Sequence, residues 1–108
     1  MASTKEFLEF VLDQIENAGT ISYKRMFGEY GIYSGNKIFA LICDDKFFIK
    51  PTGEGRKFIG DPVESPPYPG AKNYFLIEEK LDDHEWLSQL IRITVKVLPE
   101  PKPKKIKK

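Results

Sequence analysis

After its leading lysine, the segment Lys37–Cys43 (KIFALIC) is apolar at every position. Successive side chains of a strand point to opposite faces, so Ile38, Ala40 and Ile42 would lie on one side and Phe39, Leu41 and Cys43 on the other. An antiparallel strand with one wetted face alternates apolar with polar residues, and this one does not. It must be covered on both sides, either within the fold or by a partner, and a homodimer is one expected way of covering the second side.

The neighbouring segments set the topology. Residues 25–33 (RMFGEYGIY) and 46–50 (KFFIK) share the aromatic and β-branched bias of strands. Ser34-Gly35-Asn36 is a good hairpin connection because Gly and Asn accept positive φ, while Asp44-Asp45 makes a tighter and less ideal one. A three-stranded antiparallel meander is predicted. Ahead of it, Ser3 and Glu6 have capping-box spacing, and Leu8, Val11, Leu12 and Ile15 recur at helical intervals until Asn17-Ala18-Gly19. Behind it, 53–60 (GEGRKFIG) makes one or two helical turns. Residues 61–70 (DPVESPPYPG) hold four prolines and predict a surface connection with at most a short edge strand. Residues 73–78 (NYFLIE) are the next strand. Asp82 and Glu85 then repeat the capping spacing before a helix whose face is Leu87, Leu90, Ile91, Thr94 and Leu98, stopped by Pro99. The order α-β-β-β-α-β-β-α, with hairpins instead of crossovers, predicts a two-layer α+β fold with helices packed on an antiparallel sheet.

A chain of 108 residues accommodates one domain with a core that needs no staples. Its single Cys closes no internal disulfide, which suits a reducing, cytoplasmic setting. No apolar run approaches the roughly 20 residues that cross a bilayer, so no membrane association is expected. The formal charge of +1 comes from unlike parts. Residues 99–108 (PEPKPKKIKK) contain five Lys and one Glu, +4, which leaves −3 for residues 1–98. The chain is therefore read as a folded domain, 1–98, with a flexible Lys- and Pro-rich tail, 99–108. Lys102, Lys104, Lys105, Lys107 and Lys108 would be the contacts to nucleic acid, each neutralising about one phosphate.

Residues suited to catalysis are sparse. His84 stands alone in a predicted first helical turn between acids and reads as an exposed helix-start residue. Cys43 ends a core strand beside Asp44 and Asp45, which oppose thiolate formation. The acidic pairs fit turns and caps better than a metal site. The sequence has no phosphate-loop, dinucleotide or nucleophile-elbow motif. No enzyme activity and no cofactor are expected. An enzymatic reading would require a small-molecule pocket near Arg25 and Lys50.

The densest constellation is Arg25-Met26-Phe27-Gly28, followed by Tyr30-Gly31-Ile32-Tyr33, then Phe39-Ala40-Leu41-Ile42, Lys50 after the next strand, and Tyr74 in the late strand. This pattern resembles the N-terminal domain of the TfoX/Sxy family, over residues 5–98. Since ten residues follow, the resemblance is to a single-domain member. It implies a two-layer α+β fold of order α, three β, α, two β, α, in agreement with the pattern above. It also implies a regulatory, non-catalytic role, since full-length relatives act as positive regulators of competence genes with the cyclic-AMP receptor protein. The isolated domain is thought to serve interaction, so a protein partner, plausibly in transcription, is expected. The motif residues Arg25, Met26, Phe27, Gly28, Tyr30, Gly31, Tyr33, Phe39, Lys50 and Tyr74 mark the expected interaction surface.

Overall fold

The computed structural model describes residues 3–26 and 29–99. Helix α1 (Lys5–Ile15) starts at Thr4, whose side-chain oxygen accepts from the Phe7 backbone N–H at 3.1 Å. The cap is Thr4 and not Ser3 because Ser3 is drawn off by Glu29 and Asp45. A 3-10 turn (Glu16–Ala18) and Gly19, at φ 145°, end the helix. Four strands follow, β1 (Ile21–Met26), β2 (Glu29–Ser34), β3 (Lys37–Cys43) and β4 (Lys46–Ile49). After α2 (Gly53–Ile59) come β5 (Val63–Ser65), β6 (Tyr74–Ile77) and α3 (His84–Val97). The strands form one antiparallel sheet in the order β1-β2-β3-β4-β6-β5.

The architecture is the expected two-layer α+β arrangement with one more strand before α2. Segment 25–33 is two strands, with Met26 opposite Glu29 and Ile21 opposite Ser34. β1 hides its strand character because it is a sheet edge: its four central residues are exposed, so no apolar alternation marks it. At the other end of the chain, α3 is capped by Asp83, which accepts from the Trp86 N–H at 3.1 Å, one residue later than Asp82. The predicted short edge strand in the proline segment is β5, held to α2 by an Arg56–Glu64 ion pair at 2.6 Å.

One face of the sheet carries the core. Tyr30, Ile42, Phe47 and Ile77 lie in one cross-strand row, and Ile32, Ala40, Ile49 and Phe75 in the next. Leu8, Val11 and Ile15 of α1 and Leu87, Leu90 and Ile91 of α3 join them in a single buried cluster. Each such side chain contributes about 1.5–3 kcal/mol by leaving water. Gly55 lets α2 sit close, since a Cβ there would meet the Thr52 hydroxyl at 2.9 Å and Leu90 and Phe75 at 3.5 Å.

The faces of β3 differ from strict alternation at one point. Tyr33 pairs with Ile38 and Ile32 with Ala40, so Phe39 is an extra residue in the ladder. This bulge turns Phe39 into the core beside Ala40 and Ile42, and it leaves Ile38 with Leu41 and Cys43 on the opposite face. The exchange of Ile38 for Phe39 places the larger ring under the helices.

The β3–β4 hairpin turns on Asp44 and Asp45, at φ 53° and 56°. Left-handed backbone at two successive non-glycine residues is costly and needs outside support. Glu29 Oε1 accepts from the Asp44 N–H at 3.3 Å, and Ser3 Oγ accepts from the Asp45 N–H at 3.0 Å. Ser3 in turn donates its N–H and its hydroxyl to Glu29 Oε1, at 3.0 and 2.6 Å. Asp45 Oδ1 accepts from the Thr4 N–H at 2.8 Å. The start of α1, the start of β2 and the hairpin are thus fastened at one point.

Candidate functional site

The face of the sheet away from the helices is apolar and only partly covered. By register it presents Gly31, Leu41, Phe48 and Leu76 in one row. The proline segment folds over it, with Pro67 buried and Gly70 turning at φ 88°. Phe48 is only 3% exposed although it points away from the core. The doubly apolar strand is therefore covered a second time within the fold, but incompletely.

The uncovered part is a cleft of about 790 Å³ between β2, β3, β4 and the 67–69 segment. Its walls are Met26, Ile38, Leu41 and Cys43 of the sheet, with Pro67, Tyr68 and Pro69 above. Lys50 and Tyr74 stand at one end, neighbours by extension of the Ile49–Phe75 pairing, while Glu29 and Asp44 stand near the other. Gly31 keeps the floor open: a Cβ there would run into the end of Met26 and would come within 2.9 Å of the end of Ile38.

Two titratable groups of the cleft hold their protons more tightly than usual. Burial, together with the charges of Glu29 and Asp44, pushes the Cys43 thiol from an ordinary 9.0 up to about 11. Burial likewise raises Tyr74, followed by the influence of Tyr68 and Cys43. At neutral pH both groups hold their protons, which leaves little of Cys43 as thiolate. The folded state binds the Cys43 proton more tightly than the unfolded chain does, so this group adds stability below about pH 9, which is lost as pH rises to about 11. Iodoacetamide at pH 8 is expected to alkylate Cys43 in the native protein at least about tenfold more slowly than in urea. The thiolate fraction falls about a hundredfold, and the higher intrinsic nucleophilicity returns about tenfold. Equal rates would place the thiol outside a buried, acidic setting.

The expected surface residues divide between two faces. Met26, Lys50 and Tyr74 line the cleft, with Gly31 beneath it, while Tyr30 belongs to the core row and only touches the cleft's margin. Tyr33 shares that face, with the Lys24 ammonium 5.8 Å from its ring centre. Phe39 is core, for the bulge turns it under the helices. Arg25 pairs with Tyr30 and faces the helix side, so Arg25 and Lys50 do not share a pocket. Phe27, Gly28 and the five tail lysines lie outside the described residues. The sequence pattern did not single out Ile38, Leu41, Tyr68 or the flanking prolines as one site. Its only signal for them was the doubly apolar strand beside a proline-rich segment. His84 is exposed as the first residue of α3, and among the described residues no group of three or more His, Cys, Asp or Glu is placed to hold a metal. No helix among them is long and apolar enough to cross a membrane.

The second notable surface is the outer edge of β1, which pairs only with β2 among the described strands. Tyr23 is 44% exposed there, packed edge-on against Tyr30 at 5.8 Å, and a shallow groove with Leu12 and Ile21 on its floor runs beside it. Glu9, Asp13 and Glu16 form the acidic lip of this groove.

The chain is 37% identical over 107 residues to the "Uncharacterized 12.7 kDa protein in trpE 5'region" of Spirochaeta aurantia, an alignment covering 99% of this chain and 93% of that protein. The family described as the TfoX N-terminal domain matches residues 13–98, which run from the last turn of α1 to the end of α3 and include the cleft and the β1 edge, so the chain belongs to the TfoX N-terminal domain family.

Proposed function

We propose that this chain is a non-catalytic interaction module that receives an extended segment of a partner protein along the free edge of β1, in the service of transcriptional regulation. The observation that supports it is the edge itself. Six residues of backbone lie at the sheet margin, the middle four exposed, next to a groove with an apolar floor and an acidic lip. Strand addition supplies affinity from main-chain hydrogen bonds and specificity from side-chain pockets such as this groove. The link to transcription comes from the resemblance to competence regulators, and the protonated Cys43 supports a binding role.

A photoreactive residue at Ser22 tests the reading. Crosslinking in cells is expected to give a discrete adduct from position 22 and none from Lys57, an exposed position on α2. Adducts of equal yield from both positions, or none from either, would remove β1 as the docking edge. An adduct of twice the chain's mass would make the partner a second copy.

The uneven charge supports a second reading, in which Lys102, Lys104, Lys105, Lys107 and Lys108 bind nucleic acid. Deleting 99–108 is then expected to abolish a salt-dependent mobility shift, with a slope in log salt of about 4–5 for duplex DNA. Identical shifts with and without the tail would end this reading.

A further inference from the structure

We infer that the cleft on the helix-free face of the sheet is a binding site for a small organic monoanion, an apolar aromatic or aliphatic body carrying one carboxylate-like group. Its volume, about 790 Å³, lies within the range of small-molecule sites, which enclose roughly 300–1,000 Å³ behind mostly apolar walls with a few directed polar groups. Pro67, Tyr68 and Pro69 flank the cleft on one side, and the other side stays open to solvent, which gives a ligand a route in.

The charges in the cleft fix the ligand's sign and orientation. Lys50 is its one basic side chain, half-buried, with no carboxylate or hydrogen-bond partner for its ammonium among the described residues. The two acids are engaged. Glu29 receives three donors from Ser3 and Asp44, and the Asp44 carboxylate faces Lys46 at 3.7 Å. The available charge is therefore positive, on the strand next to Tyr74, whose phenol stays a hydrogen-bond donor because burial, with Tyr68 and Cys43 nearby, holds its proton. An anionic head would dock on Lys50 and Tyr74, and an apolar body would lie over Leu41, Ile38 and Met26 beneath Tyr68. A second negative group at the far end would meet Glu29 and Asp44, and this selects a monoanion over a dianion. This site does not depend on the β1 edge: the two lie on different surfaces, and either is able to fail alone.

An amide NMR titration of the full chain with naphthoate and with neutral naphthamide tests the inference. Naphthoate is expected to bind saturably, shifting Leu41, Cys43, Lys50 and Tyr74, at least about tenfold more tightly than naphthamide, the worth of one charge-assisted contact. Lys50→Met is expected to abolish the preference for the acid while leaving the melting temperature unchanged. Should Lys50→Met fail to fold, Lys50→Gln serves in its place. Tyr68→Ala is expected to weaken both ligands. Shifts confined to other residues, equal affinity for acid and amide, or an undiminished preference in the Lys50 variant would overturn it.

Discussion

Phe39→Ala is expected to lower the unfolding free energy by about 3–5 kcal/mol, and Ile38→Ala by only about 1 kcal/mol. The contrast follows from the bulge in β3. Phe39 is fully buried in the cluster that α1 and α3 cover, and removing its ring leaves a cavity that the surrounding strands cannot close. Ile38 is half-buried at the wall of an existing cleft, where truncation widens a space that already exists. A shift of the denaturant midpoint at constant slope measures both costs. Phe10, 41% exposed on α1, provides the control, with a change to Ala expected within about 0.5 kcal/mol. Strict alternation through the strand would reverse the order of the two costs, and a larger loss at Ile38 would remove the bulge.

Glu29→Ala is expected to cost about 2–3 kcal/mol, large for a side chain that is not in the apolar core. One carboxylate oxygen accepts the Ser3 N–H, the Ser3 hydroxyl and the Asp44 N–H, and Ser3 then supports Asp45. Its loss strips acceptors from three donors and leaves two left-handed aspartates supported only through Thr4 and a Ser3 that is no longer anchored itself. Glu29→Gln keeps an acceptor and lowers the local negative charge, so it is expected to recover at least half of the loss. Chemical denaturation gives the magnitude, and amide exchange locates it: protection should fall together at Ser3, Asp44 and Asp45. A stability change under about 0.5 kcal/mol in Glu29→Ala would reduce the network to a surface contact.

Local rules made much of this fold legible. Helical spacing located α1 and α3, with each cap one residue from its expected place; at α1 the reason is that Ser3 bonds to distant residues, which no local pattern contains. Gly35 at φ 61° and the apolar run of β3 marked their hairpin plainly. The split between β1 and β2 was hidden because an edge strand exposes both its faces, so Tyr23, Lys24 and Arg25 follow no burial rhythm. The bulge was hidden for a different reason. Register is a property of two strands, and nothing within KIFALIC says which residue its partner will skip. The cleft combines both difficulties: proline content showed that 61–70 avoids the ladder for most of its length, but not that its remainder would fold back over Leu41.

The two margins of the sheet are unequal, and this sets a stoichiometry. β5 is three residues long, flanked by Pro62 on one side and Pro66 and Pro67 on the other, which gives an incoming chain too little ladder to hold. β1 offers six. A molecule with a single receptive margin saturates after one addition, so a titration by strand pairing should end at one partner per chain. Identical copies meeting this way would cap one another about a two-fold axis, and growth into fibres would have no second end from which to continue.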